Sequence, residues 1–99
     1  MRDSSIQRFE FTFELFWKSL KAYAEESGLE AFSPRDSIRI AFQLGVIQDN
    51  PEWFRMLEDR NRTSHTYNEA TADSIYSHLP TYTHLVCQAL DELTRRAKD

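Results

Sequence analysis

From Ile6 to Tyr23 the apolar residues Ile6, Phe9, Phe13, Phe16, Trp17, Leu20 and Tyr23 recur at three- and four-residue steps, the period of one helix face. The pattern stops at Ser27-Gly28, where glycine suits the left-handed turn that ends a helix. Phe11 and Leu15 point away from the first stripe, so this helix is expected to touch neighbours on more than one side, another subunit among them. Ser33, Pro34 and Asp36 then form a helix start: a hydroxyl cap, a proline at the first helical position and an acid near the unpaired amides. The second helix is expected to run to about Gly45, with Ile38, Ala41 and Phe42 as its apolar face and Ile40 and Leu44 spreading the stripe.

Asn50-Pro51 repeats the cap-plus-proline device and opens a third helix bearing Trp53, Phe54, Met56 and Leu57. A last helix, starting between Asn68 and Asp73, carries Ile75, Leu79, Tyr82, Val86, Leu90 and Leu93 on both sides of Pro80. One helix with a kink is predicted there, since proline removes an amide donor and crowds the carbonyl of Tyr76 at a cost of about 3 kcal/mol before packing compensates. No repeat, linker or low-complexity tract interrupts the chain, so the reading is a single all-α domain over residues 1–99, an antiparallel four-helix up-and-down bundle.

Composition narrows the picture without changing it. Forty per cent hydrophobic and 13% aromatic residues in a chain of 99 supply one modest core. Twelve Lys+Arg against 16 Asp+Glu leave a net charge of −4, so any nucleic-acid chemistry has to be local rather than driven by a basic field over the whole surface. The single Cys87 permits neither an internal disulfide nor a thiolate metal cluster, and no apolar run approaches a membrane span; a cytoplasmic, soluble protein is expected.

The informative stretch is Glu58-Asp59-Arg60-Asn61-Arg62-Thr63-Ser64-His65-Thr66-Tyr67, which has charged and polar side chains and no aliphatic one. If the third helix continues through it, Asn61 and His65 share one face and Arg60 lies one step of roughly 100° away. An imidazole titrates near neutrality and passes protons, a guanidinium grips phosphate with two parallel hydrogen bonds, and an amide orients either the imidazole or a substrate oxygen. Together they suit phosphodiester chemistry without a metal. The plainer reading of the same residues is a wet helix surface on which Arg60 and Arg62 pair with Glu58 and Asp59. Glu10 and Glu14 are a carboxylate pair or a solvated or interface face; His78 and His84, not on one helical face, are expected to be structural or exposed. Arg55, Arg60 and Arg62 of two chains together would make a positive cleft.

The chain resembles the helical HEPN domains of bacterial and archaeal toxin–antitoxin pairs whose partners are minimal nucleotidyltransferases, in their nucleotidyltransferase substrate-binding-like branch. The residues carrying the resemblance are Ile6-Gln7-Arg8-Phe9-Glu10-Phe11-Thr12-Phe13-Glu14-Leu15 with Trp17-Lys18, Ser33-Pro34-Arg35, Ala41-Phe42-Gln43-Leu44-Gly45, Trp53, and Arg60 to Tyr67. It implies a homodimer in which the Arg-x4-His motifs of two subunits meet at a shared cleft and cut RNA without metal or cofactor. By that resemblance His65 is the general acid or base, Arg60 holds the scissile phosphate, Asn61 orients the site, and Tyr67 matches the tyrosine that the nucleotidyltransferase partner modifies with adenylate in some members. Members usually carry one more helix before the segment matching Ile6 to Lys18, and here only Met1 to Ser5 precede it. No phosphate-cradling glycine loop marks the chain as the nucleotidyltransferase itself. Two function classes stay open: a toxin with metal-independent ribonuclease activity, neutralised by its nucleotidyltransferase antitoxin, and a non-catalytic module that docks that enzyme and presents Tyr67 or another substrate to it.

Overall fold

The computed structural model describes residues 2–65 and 68–98, with only the backbone described at positions 2, 3 and 65. Four α-helices are present among them: α1 (Arg2–Glu26), α2 (Pro34–Gln43), α3 (Glu52–Arg62) and α4 (Glu69–Ala97), with one 3₁₀ turn at Thr63–His65 between the last two. No described residue lies in a strand, and no described helix is long and apolar enough to cross a membrane.

Each boundary has a local cause. Ser33 Oγ accepts the amide of Asp36 at 3.1 Å at the start of α2, and Asn50 Oδ1 accepts that of Glu52 at 3.0 Å at the start of α3. Asn68 Oδ1 accepts the amides of Ala70 and Thr71 at 2.9 and 3.3 Å, which fixes the first turn of α4. Gly28 and Gly45 follow α1 and α2 at φ values of 86° and 75°, a left-handed region where a side chain would be strained. The final apolar stripe forms one helix that continues past Pro80, as its periodicity predicts. Pro80 lies on the exposed side, so the Tyr76 carbonyl that loses its donor can accept water instead.

The all-helical bundle is the one expected, but the up-and-down order is not, as side-chain contacts show from the direction of the long helices. Phe9 of α1 stacks on Tyr82 of α4, and Tyr23 near the end of α1 meets Arg96 near the end of α4, so the two long helices run the same way. Helix α3 runs against both: Phe16 meets Trp53, Glu14 meets Arg60, and Asp59 meets His78 while Arg55 meets Tyr82. The reason lies in α2. Arg96 donates to the carbonyls of Leu44 and Gly45 at 2.8 and 3.1 Å and to the Tyr23 hydroxyl at 3.2 Å, so α1, α2 and α4 all end at the same pole. Glu92 holds Arg96 Nε at 2.6 Å, and its hydrogen bonds from Arg95 and Arg96 pull its carboxyl down to about 2. That contact stabilises the fold above the ordinary carboxylate range and is lost as pH falls from there toward 2.

The core is aromatic. Phe9, Phe13, Phe16 and Trp53 form a run with ring centroids 6.1, 6.3 and 5.2 Å apart, and Ile38, Met56 and Val86 close around it, while Ile75 packs in a second, smaller cluster with Ile6 and Ala72. The predicted face of α1 is the buried one, with Trp17 and Tyr23 only partly covered. Phe11 and Leu15 stay 72% and 70% exposed, as their position away from that face requires.

Candidate functional site

Helix α3 changes character at its last turn. Trp53, Met56 and Leu57 bury its first half against α1 and the core, after which the polar stretch begins. The α-helix ends at Arg62, so the α-helical spacing of Asn61 and His65 does not hold: His65 closes a tighter 3₁₀ turn. Hydroxyls cause the change. Thr63 Oγ1 donates to the Arg60 carbonyl at 2.7 Å and Ser64 Oγ reaches the Asn61 carbonyl at 3.5 Å, taking up acceptors that a continuing helix would use.

Arg60 is turned toward α1. Its Nη2 donates to Glu14 Oε1, its Nη1 donates to Asn61 Oδ1 at 3.2 Å, and its guanidinium lies 5.9 Å from the centre of the Phe13 ring. Both partners are about one third exposed, 33% for Arg60 and 35% for Glu14, so a ligand can reach the pair from solvent. The hydrogen bond from Arg60 holds the Glu14 carboxyl below its usual range, with Lys18 at 3.9 Å adding a weaker pull. Arg60 is therefore a fixed cation with an oriented fork, pinned by a carboxylate that an incoming phosphate would have to replace or share.

The structure thus brings Arg60, Asn61 and Glu14 together. It places the backbone of His65 at the end of the adjoining turn, while the His65 side chain and the whole of Tyr67 lie outside the described residues. The expected pairing of Arg60 with Glu58 or Asp59 gives way to Glu14 because Arg60 faces α1. Arg62 does pair with Asp59, at 3.0 Å, but on an acid that is 1% exposed rather than on a wet surface.

That buried acid is the group the sequence reading missed. Asp59 Oδ2 accepts the Tyr82 hydroxyl at 2.5 Å and His78 Nδ1 at 2.7 Å, both from α4. Burial, then the bond to Asp59 and its charge, push the Tyr82 hydroxyl well above the usual phenol range, with Arg55 opposing weakly. The one available signal was that His78 and Tyr82 stand one helical turn apart, with Tyr82 on the apolar stripe. His84 is exposed. Among the described residues no three His, Cys, Asp or Glu side chains gather as a metal-binding set.

Residues 1–95 match the family described as nucleotidyltransferase substrate binding protein like. The chain is 30% identical over 97 residues to the probable ribonuclease HepT of Haemophilus influenzae, an alignment covering 93% of this chain and 66% of that protein. The chain therefore spans just under two thirds of the length of that relative. A crystal structure of a protein from Thermus thermophilus superposes with a TM-score of 0.88 at 47% identity, covering 93% of this chain and 80% of the other.

Proposed function

We propose, because this chain belongs to the nucleotidyltransferase substrate-binding protein-like family, that it is the toxin of a toxin–antitoxin pair and cuts RNA without a metal at Arg60, Asn61 and His65. The observation that carries this reading is the partly exposed Arg60, held against α1 by Glu14 and the Phe13 ring and by its neighbour Asn61, one turn before the segment that ends in His65. The relative from Haemophilus influenzae is named as a probable ribonuclease, which agrees with it.

The chemistry asked of these residues is modest. The ribose 2′-hydroxyl gives its proton to a base and its oxygen attacks the adjacent phosphorus; the bond from phosphorus to the 5′-oxygen breaks, and that oxygen takes a proton. His65 supplies one of these proton transfers, an effect of about 10²–10⁴-fold. Arg60 pairs with the phosphate oxygens as charge grows on them, and Asn61 holds the guanidinium in place. DNA lacks the internal nucleophile and is not cut by this route.

The active particle is a homodimer in this account. Phe11 and Leu15 are exposed on the same stretch of α1 as Glu14 and Lys18. A second copy seated on them by a two-fold axis covers the apolar pair and brings both Arg60–Glu14 pairs to one cleft. Sedimentation as a dimer is the expected result, and a monomer at micromolar concentration contradicts it.

The words substrate binding in the family description support a second reading, in which the chain docks a minimal nucleotidyltransferase and presents Tyr67 or another substrate to it. One experiment separates the two. Wild type and His65→Ala, both checked for helix content and oligomeric state, are incubated with a structured RNA in EDTA. Cleavage by wild type alone is expected. Cleavage by neither moves the function to docking, and cleavage by both removes His65 from the reaction.

A further inference from the structure

The last turn of α3 is held on two sides by consecutive residues. Arg60 faces α1, and Asp59, roughly 100° earlier around the axis, faces α4. Asp59 is fully engaged there: Oδ1 takes Arg62 at 3.0 Å, and Oδ2 takes Tyr82 and His78 at 2.5 and 2.7 Å. The His78 ring reaches Asp59 through Nδ1, with 24% of its side chain exposed. Tyr82 is itself fixed, stacked on Phe9 at 5.5 Å with the Arg55 guanidinium 5.9 Å from its ring centre.

Stability alone is a poor reason for this arrangement. A buried ionic cluster replaced by well-packed apolar residues is often no less stable, so a leucine-like contact would join α3 to α4 equally well. What the carboxylate adds is direction. The two hydrogen bonds that reach Asp59 from α4, from Tyr82 and His78, set the rotation of the turn about the α3 axis, and that rotation decides where Arg60 and Asn61 point. We propose that Asp59, with His78 and Tyr82 as its partners, is the positioning group for Arg60 and Asn61 in RNA cleavage. The proposal rests on the RNA-cleaving reading and assigns roles to three residues outside the Arg-x4-His motif.

Tyr82→Phe, which keeps the ring and deletes only the hydroxyl, is the principal test; Asp59→Asn and His78→Gln extend it. In Tyr82→Phe kcat for RNA cleavage falls about tenfold while KM and the melting temperature stay close to wild type, the mark of misplaced groups in a folded protein. Amide hydrogen exchange gives a readout independent of activity: the segment 59–65 exchanges faster in the variant while α1 and α2 keep their rates. A lower kcat with faster exchange confined to that segment supports the proposal. Unchanged kcat in a cleaving enzyme overturns it, whatever the exchange shows, and so does a loss of kcat matched by a fall in melting temperature and faster exchange throughout. If wild type cuts no RNA the ribonuclease reading fails by itself, and exchange then decides whether Asp59 positions Arg60: local loosening supports it and unchanged exchange overturns it.

Discussion

Arg60→Ala is expected to slow RNA cleavage by roughly 10²–10³-fold, the usual loss when one preorganised donor to developing negative charge is removed. The structure gives the reason for so large an effect from one side chain. Glu14, Asn61 and the Phe13 ring already hold the guanidinium in one pose before any ligand arrives. Arg60→Lys keeps the charge but loses the fork, so it is expected to recover only part of the rate. Stability is expected to change little, by about 0–1 kcal/mol, because both members of the Arg60–Glu14 pair are a third exposed and screened by water. Glu14, freed of its partner, returns toward the ordinary carboxylate range, so the small contribution the pair makes above that range disappears. Single-turnover cleavage beside urea denaturation checks both halves; an Arg60→Ala protein that cuts at the wild-type rate places the phosphate elsewhere.

Phe16→Ala is expected to cost about 3–5 kcal/mol. Phe16 has no exposed surface and its ring lies between Phe13 and Trp53, at 6.3 and 5.2 Å, so its loss leaves a hole where α1 meets α3. A domain of this size has roughly 5–15 kcal/mol in total, so this one substitution brings the protein close to unfolding. Phe11→Ala, on the same helix but 72% exposed, is expected to stay within about 0.5 kcal/mol in the monomer. The difference between their urea midpoints, measured at a dilution where the chain is monomeric, tests the assignment of the two faces of α1, and equal midpoints contradict it.

These two faces were legible in the sequence because helical periodicity separates them without any knowledge of the neighbours. The capping residues Ser33, Asn50 and Asn68 were legible for a similar reason: their bonds close within three residues. The direction of the helices was not, since it depends on α2 ending at the pole where Arg96 waits more than 50 residues later. The site divides in the same way. Arg60, Asn61 and His65 stand out as a local cluster, whereas Glu14 joins them only through the packing of α1 on α3. Asp59 reads as a surface acid from its neighbours, and its burial comes from His78 and Tyr82 arriving on α4. The end of the helix at Arg62 was decided by the Thr63 and Ser64 hydroxyls, whose back-bonding competes with the α-helix at short range and leaves no trace in hydrophobic spacing.

The central claim is that this protein cuts RNA through the internal 2′-hydroxyl at the Arg60 to His65 motif. The most direct measurement uses one short RNA, cut by wild type in EDTA, and the same RNA carrying a single 2′-deoxyribose at the cleavage position. The account predicts that the first substrate yields a 2′,3′-cyclic phosphate end and that the second is left intact at that position. Cleavage of the deoxy substrate at the same bond, or no cleavage of either RNA, contradicts it.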